Sequence, residues 1–193
     1  MKWVVRILGG LVAILVLAVL VIFVMGHRPG AGTLHGSVEI ARSPEQVWPY
    51  LVEAPKLKQW VSWLAEVRDE TPGMVGVGSK STWVMNDPMT KKQMAIPATI
   101  TAYDAPNRFS CRIEMAKMFT GDATYKLTPI ATGTRVEAIS TWHYSDAFSQ
   151  LMEPFITPEA EKKTRADLAN LKKAVESAPE QVGQAGQPAQ VAR

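Results

Sequence analysis

The sequence predicts an α+β domain, with an antiparallel sheet and one long C-terminal helix, attached to a transmembrane helix at the N-terminus. Three observations predict this architecture. An unbroken apolar run stands close to the N-terminus. Segments that alternate apolar and polar side chains then follow one another between residues 64 and 144, as in half-buried strands. Apolar residues at helical spacing occupy the last part of the domain, up to about residue 177.

The N-terminal run from Ile7 to Met25 contains only apolar residues and glycine. A helix needs about 20 such residues to cross the hydrocarbon core of a bilayer, so the run predicts a membrane anchor. A cleaved secretory leader is the alternative, because the small residues at 30–32 could serve a peptidase, although leaders have shorter apolar regions. Lys2 and Arg6 precede the run, and this charge bias favours a cytoplasmic N-terminus with the domain outside.

Composition divides the chain into four parts. We expect residues 1–28 to form the anchor, 29–35 a Gly-rich linker, 36–177 the folded domain and 178–193 a disordered tail. The tail is rich in Pro, Gln, Gly and Ala and has almost no apolar residues that could attach it to a core. One domain of ordinary size therefore follows the anchor.

One strand and two short helices open the domain. Residues from Leu34 to Ala41 alternate between the two faces of a strand. Ser43 is a favourable N-cap, Pro44 suits the first helical position, and Gln46 stands where a capping box needs it, so a helix follows directly. A second short helix is expected to end near Trp60.

Six further strands are predicted by period-two patterns separated by turn residues. They are Leu64–Glu70, Ser79–Asn86, Gln93–Tyr103, Arg108–Met115, Gly121–Pro129 and Thr134–Tyr144. Consecutive strands with short turns form an antiparallel meander, and the single apolar face indicates a sheet that is covered on one side only. The covering helix is predicted to start at Pro158, because proline is favoured at the first helical position and acidic residues follow it.

Three segments carry a resemblance to a known family. Residues 37–64, SVEIARSPEQVWPYLVEAPKLKQWVSWL, join a strand to helices that end in tryptophan. Residues 76–79, GVGS, form a glycine turn, and residues 125–141, YKLTPIATGTRVEAIST, form a hairpin. In this order the segments resemble the helix-grip fold of the START-like (SRPBCC) superfamily. With its anchor, the chain resembles membrane-anchored bacterial proteins of the polyketide cyclase/dehydratase-like kind.

The resemblance implies a curved antiparallel sheet of about seven strands, wrapped on the C-terminal helix, with a ligand cavity between them. It also implies a single-pass protein of the bacterial inner membrane. The charge bias at the N-terminus favours a location of the folded domain outside the cytoplasm, in the periplasm. The expected partners are an apolar small molecule or lipid and, through Ile7–Met25, the membrane. Nothing in the sequence specifies an oligomeric state.

Charge and motif content argue against several other partners. The net charge is +3 and the basic residues are spread along the chain, so no basic stripe for nucleic acid is formed. One cysteine and three scattered histidines cannot make a closed structural zinc site. The chain contains no P-loop, dinucleotide-binding glycine pattern or nucleophile elbow, so we expect no cofactor and no metal.

Methionine and tryptophan are frequent in the domain, and flexible Met is common on surfaces that adapt to irregular apolar partners. Core packing is the other explanation of their frequency. The predicted cavity lining consists of apolar and aromatic residues of the strands and the C-terminal segment: Trp83, Met85, Met94, Ile96, Ile113, Met115, Tyr125, Trp142, Met152 and Phe155.

Four residues are the first candidates for catalysis: His143, Tyr144, Glu114 and Tyr125. A His/Tyr pair at the end of the last strand could perform acid–base chemistry. The alternative for His143 is an ordinary solvated side chain on the polar face of the sheet. Glu114 shares its face with Arg112, where cross-strand ion pairs are the more common explanation.

The interpretation that the sequence favours is a noncatalytic, membrane-tethered binding domain for an apolar ligand. Two alternatives stay open. A cyclase/dehydratase-like enzyme acting on a hydrophobic substrate requires a polar cluster inside the cavity. A tethered protein-interaction domain requires a closed cavity and an exposed apolar patch.

Overall fold

A computed structural model of the chain describes residues 2–26, 32–87, 91–115, 119–145 and 147–179. Its elements, in chain order, are α1 (Lys2–Gly26), β1 (Thr33–Ile40), α2 (Pro44–Val52), α3 (Ala54–Leu57), β2 (Leu64–Asp69), β3 (Lys80–Asn86), β4 (Gln93–Asp104), β5 (Arg108–Met115), β6 (Phe119–Ile130), β7 (Gly133–Tyr144) and α4 (Ala147–Ser177). All seven predicted strands are present, each within two residues of its expected bounds.

One antiparallel sheet contains all seven strands, in the order β1-β7-β6-β5-β4-β3-β2. Strands β2 to β7 form a meander, whereas β1 pairs with β7. Helices α2 and α3 lie in the connection from β1 to β2, which are at opposite edges of the sheet. This architecture confirms the predicted α+β fold, a seven-stranded sheet with a long C-terminal helix.

The two faces of the sheet differ in polarity. Residues that pair across an antiparallel ladder project to the same side. Phe109, Tyr125 and Ala138 therefore form one row on the face that packs against α2 and α4, which we call the inner face. On the outer face Arg112 pairs with Asp122, with 3.0 Å between Nε and Oδ1. The sheet is thus covered on one side only, as the alternation predicted.

Helix α2 and the C-terminal half of α4 close one end of the inner face. We call this group of strand and helix residues the closed end: Ile40, Phe109, Leu127, Val136, Leu171 and Val175. Each of these side chains is at most 5% exposed. Full burial of one such side chain stabilises the fold by about 1.5–3 kcal/mol. Because all of these side chains are buried together, the closed end belongs to the main hydrophobic core.

Helix α4 also lies along the edge strand β1. At Gly36 a Cβ would lie 2.7 Å from Cδ1 of Leu168, so the absence of a side chain permits this close approach. Lys172 donates to the backbone carbonyl of Glu39 over 2.7 Å. The helix therefore covers both the inner side and part of the free backbone of β1.

Helix α4 begins at Ala147, so the prediction that it starts at Pro158 was wrong. Pro154 and Pro158 both lie inside the helix. A proline inside a helix lacks one backbone hydrogen-bond donor and costs about 3 kcal/mol, which made the sequence favour Pro158 as the first helical residue. Packing of α4 against β1, and the hydrogen bond that Glu153 accepts from Gly32, offset this cost.

The start of α2 follows the predicted capping box. Ser43 at the N-cap donates its backbone N–H to Oε1 of Gln46 over 3.1 Å, and Pro44 is the first helical residue. Trp60 donates its indole N–H to the carbonyl of Tyr50 over 2.7 Å. This bond joins the segment after α3 to α2 and fixes both over the inner face.

Helix α1 is long and apolar enough between Lys2 and Val24 to cross a membrane, and none of this stretch is buried in the protein. A signal sequence near the N-terminus would meet the same criteria. Parts of the predicted anchor and tail, residues 1, 27–28 and 180–193, lie outside the described residues. Strand β1 begins at Thr33, so the last three residues of the predicted 29–35 linker belong to the strand.

Candidate functional site

Seven apolar side chains toward the other end of the inner face are only partly buried, and three of them, Trp83, Met85 and Ile113, also pack against the hydrophobic core. We call this group the open end: Trp83, Met85, Met94, Ile96, Ile113, Met115 and Trp142. On strands β3 and β4, Trp83 faces Ile96 and Met85 faces Met94. Ile113 on β5 lies in the same row as Trp142 on β7. These seven residues and Tyr125 are the predicted cavity residues on strands, and all eight share the inner face.

The two predicted cavity residues on α4 are less enclosed than the C-terminal half of that helix. Met152 is partly exposed. Phe155 is 59% exposed and the neighbouring Ile156 is 42% exposed. The N-terminal half of α4 therefore gives the open end less cover than α2 and the C-terminal half of α4 give the closed end.

An aromatic cluster borders the open end, where β6 begins and β7 ends. Phe119 packs edge-to-face against Trp142, with 5.4 Å between ring centroids, and lies 6.4 Å from Tyr144. The indole of Trp142 lies over Gly121, where a Cβ would be 2.5 Å from Cε3 of the indole. Glycine at this position lets the indole rest directly on the sheet.

Glu153 on α4 is only 2% exposed and lies beside this cluster. Its Oε1 accepts the backbone N–H of Gly32 over 3.2 Å and the hydroxyl of Thr157 over 2.5 Å. The carbonyl of Gly32 accepts the backbone N–H of Trp142 over 2.6 Å, which connects the carboxylate to β7. Oε2 of Glu153 is buried and has no hydrogen-bond partner among the described residues.

The two tyrosines among the catalytic candidates lie on the inner face. Burial raises the pKa of Tyr125, whose ring contacts Trp60 and Phe109. Burial, and secondly the charge of Glu153, raises the pKa of Tyr144. Both phenols therefore stay protonated at neutral pH, so that they can donate a hydrogen bond but do not supply a base.

The other two catalytic candidates, His143 and Glu114, lie on the outer face. They pair with Thr120 from opposite sides of β6, and both are exposed. Arg112 on the same face forms its ion pair with Asp122. The structure does not bring the four candidates together, because the sheet separates His143 and Glu114 from the inner face.

Cys111 is buried in the middle of the inner face, opposite Ala123. Burial, and secondly the charge of Asp122, raises the pKa of its thiol from 9.0 to about 12. The thiolate is the nucleophilic form of cysteine, so a thiol with this pKa is unreactive at neutral pH. Cys111 therefore acts as a core side chain.

Asp167 on α4 holds the loop before β2. Its carboxylate is 7% exposed and accepts the backbone N–H of Ser62 over 3.0 Å, the hydroxyl of the same serine and the ammonium of Lys163. Trp63 in this loop has a φ of 70°, a left-handed conformation that costs about 1–2 kcal/mol in a bulky residue. The contacts of Asp167 stabilise the loop in this strained conformation.

A shallow groove of about 650 Å³ lies between α2 and the C-terminus of α4. Its lining includes Tyr50, Gln59, Asn170 and Lys173 and none of the predicted cavity residues. Across the described ranges, no three His, Cys, Asp or Glu side chains are grouped closely enough to hold a metal ion. The open end is therefore the apolar candidate site.

Sequence reasoning missed Glu153 and Phe119. Glu153 is the single acidic residue in the otherwise apolar stretch 151–156, and this isolation was a signal that could have identified it. Phe119 fell outside the predicted strand because that strand was expected to begin at Gly121, two residues too late.

Comparisons with known proteins agree with this fold. A family model described as polyketide cyclase / dehydrase and lipid transport matches residues 31–176. Protein NE0264 from Nitrosomonas europaea is 16% identical, with a TM-score of 0.60 over 77% of this chain and 97% of its own. TTHA0849 from Thermus thermophilus is 18% identical, with a TM-score of 0.62 over 74% of this chain and 96% of its own. A protein from Arthrobacter aurescens is 19% identical, with a TM-score of 0.60 over 77% of this chain and 88% of its own.

These solved structures show the fold alone, since their identity to this chain is below one residue in five. No curated protein matches the chain. The family model covers most of the sequence. It includes the whole sheet and all of α4 except its last residue. The chain therefore belongs to the polyketide cyclase / dehydrase and lipid transport family, within the START-like (SRPBCC) superfamily.

Proposed function

We propose that this protein binds an apolar small molecule or lipid between its sheet and α4, while α1 tethers it to a membrane. The observation that carries the proposal is the open end, where seven apolar side chains stay partly exposed although the closed end is fully packed. A ligand that covers about 200 Å² of such surface gains about 5 kcal/mol before the entropic costs of binding. The description of the family, which includes lipid transport, supports this proposal.

The chemistry of the open end favours ligands of irregular shape. Three of its seven side chains are methionines, Met85, Met94 and Met115. Methionine has three rotatable bonds and a polarizable sulfur, so it adapts to different apolar partners. We therefore expect the site to accept a range of alkyl or polycyclic chains.

The open end lies at the end of the sheet that is joined to α1. Thr33, the first residue of β1, pairs with Thr141, next to Trp142 of the open end. Gly32 is six positions after Gly26, the last residue of α1, and such a segment spans at most about 20 Å. A tethered domain would hold the open end near the lipid, so that an apolar ligand crosses little water.

The membrane in this proposal is the bacterial inner membrane, crossed once by α1, with the domain on the periplasmic side. The support is the position of Lys2 and Arg6 before the apolar stretch, which favours a cytoplasmic N-terminus.

Binding without chemistry is favoured over a cyclase/dehydratase-like enzyme. Of the candidate set, Tyr125 and Tyr144 lie on the inner face, six positions apart along the β6–β7 ladder, and burial keeps both protonated. His143 and Glu114, the two candidates that could act as bases, are on the outer face.

Native mass spectrometry tests the proposal. The full-length protein is solubilised in detergent, mixed with dodecanol or palmitate, and released from the detergent in the spectrometer. We expect ligand adducts on the wild type. Met115→Glu places a charge within the open end and should weaken binding more than tenfold. Thr120→Glu places the same charge on the outer face and should change binding less than twofold. Failure of every apolar ligand to bind the wild type, or equal binding by the two variants, would contradict the proposal.

A further inference from the structure

The aromatic cluster of Phe119, Trp142 and Tyr144 and the carboxylate of Glu153 lie together at one border of the open end. We infer that the ligand carries an ammonium group, primary or quaternary, which is held between these rings and this carboxylate. The inference rests on the proposed function, because the ammonium is the polar end of an amphiphile whose apolar chain covers the open end.

The first observation is the unsatisfied carboxylate oxygen. Glu153 is 2% exposed, and its Oε1 already accepts the hydrogen bonds of Gly32 and Thr157. Oε2 has no partner among the described residues. An enclosed carboxylate oxygen without a donor costs several kcal/mol, and buried charges in proteins are normally paired. A cationic donor is the chemical group that would best complete this site.

The second observation is the arrangement of the rings. The planes of Phe119 and Trp142 meet at 81°, and those of Phe119 and Tyr144 at 67°, so the cluster presents ring faces in different directions. A cation is attracted to the face of an aromatic ring, most strongly to tryptophan. Several ring faces beside one carboxylate are the usual surroundings of a bound ammonium ion.

The backbone joins the two halves of this site. Gly32 donates to Glu153 with its N–H and accepts from Trp142 with its carbonyl. Tyr144 is close enough to Glu153 for the carboxylate charge to raise its pKa. Trp142 and Tyr144 are themselves partly exposed on the inner face, and in this proposal the ammonium reaches Oε2 past their side chains.

The same geometry selects against other head groups. A carboxylate head group would be repelled by Glu153, and a hydroxyl would gain a hydrogen bond but no attraction to the ring faces. The expected order of affinity for equal alkyl chains is therefore ammonium, then alcohol, then carboxylate. The ammonium can belong to a phospholipid head group or to a free long-chain amine, because both present the same charged group.

The test uses native mass spectrometry of the full-length protein with dodecyltrimethylammonium, dodecylamine, dodecanol and dodecanoate, each below its micelle-forming concentration. The wild type should bind the two ammonium ligands at least about tenfold more tightly than dodecanoate, within the range of a desolvated cation–π contact. Glu153→Gln keeps the size of the side chain and should reduce this preference to about twofold or less. Its binding of dodecanol should change little. Glu114→Gln, the matched change on the outer face, should keep the wild-type preference.

Each outcome decides between the two ideas. A wild type that binds all head groups equally, or a Glu153→Gln variant that keeps the preference, overturns the ammonium inference and leaves the proposed function standing. If no alkyl ligand binds the wild type, both fail. Should Glu153→Gln not fold, Trp142→Leu carries the same test, because the ammonium preference must then fall. Lysophosphatidylethanolamine and lysophosphatidylglycerol distinguish the sources: preference for the former indicates a lipid head group, and binding of dodecylamine but of neither lysolipid indicates a free amine.

Discussion

The closed end and the open end of the inner face are built from the same apolar alternation but differ in cover. At the closed end each side chain is at most 5% exposed. At the open end residues of similar size stay partly exposed, and on the adjoining half of α4 Phe155 is 59% exposed. The sheet is apolar at both ends, so the position of the helices decides which part of the fold is core and which part is a site.

The largest effect should come from matched truncations at the two ends. Leu171→Ala removes a fully buried side chain and should lower the free energy of unfolding by about 3–5 kcal/mol, because the closed end cannot relax around the cavity. Met115→Ala at the open end should cost less than about 1 kcal/mol, since its side chain already contacts solvent. Urea denaturation followed by circular dichroism measures both. Equal losses would show that the two ends are packed alike.

A smaller loss of stability is expected in the middle of α4, between the closed end and the open end of the inner face. Asp167→Ala leaves the partly buried N–H and hydroxyl of Ser62 and the ammonium of Lys163 without their acceptor, and should cost about 2–3 kcal/mol. The control is Asp122→Ala, which breaks the exposed ion pair with Arg112 and should cost about 0–1 kcal/mol. Thermal melts of the two variants measure their loss of stability. An Asp167 variant as stable as its control would mean that the hydrogen bonds between the loop and α4 do not stabilise the fold.

The smallest effect tests whether water reaches the middle of the inner face from the open end. The pKa of Cys111 is raised from 9.0 to about 12 in the folded state. The folded state therefore holds its proton more tightly than the unfolded state, and stability is complete below about pH 9. Above that pH it falls by about 1.4 kcal/mol per pH unit until the folded pKa is reached.

The measurement is the free energy of unfolding of wild type and Cys111→Ala between about pH 8 and 10.5, from urea denaturation. The wild type should lose stability more steeply as the pH rises, and the variant should lack this contribution. Parallel pH profiles would indicate that solvent reaches the thiol and that the open end extends deeper than its side chains suggest.

The strands could be predicted almost to the residue, whereas the start of α4 could not. Strand β5 matches its predicted bounds because Phe109, Cys111 and Ile113 alternate with polar residues, and that pattern is local. Pro154 and Pro158 are equally local signals, and they indicate a helix boundary. What overrides them is packing against β1, which is far away in the sequence.

The candidate site was predictable in part for the same reason. Period-two alternation assigns eight cavity residues to one face, but it does not say which end of that face stays open. That depends on the position of the helices over the sheet. The environment of Glu153 depends on Gly32, 121 residues away, so no local pattern could give it. Local rules therefore place these eight residues on one face of the sheet, and long-range contacts determine the environment of Glu153.

An open sheet with strands β1 and β2 at its margins has two rows of backbone groups that could recruit a strand from another molecule. Helix α4 packs along the edge strand β1, where Lys172 donates a hydrogen bond to the backbone carbonyl of Glu39. The other margin is short, six residues, and carries the charged side chains of Glu66 and Arg68. On the proposed tether many copies would diffuse in one plane at high local concentration. Protection of both edge strands would then keep neighbouring copies from pairing their sheets and aggregating.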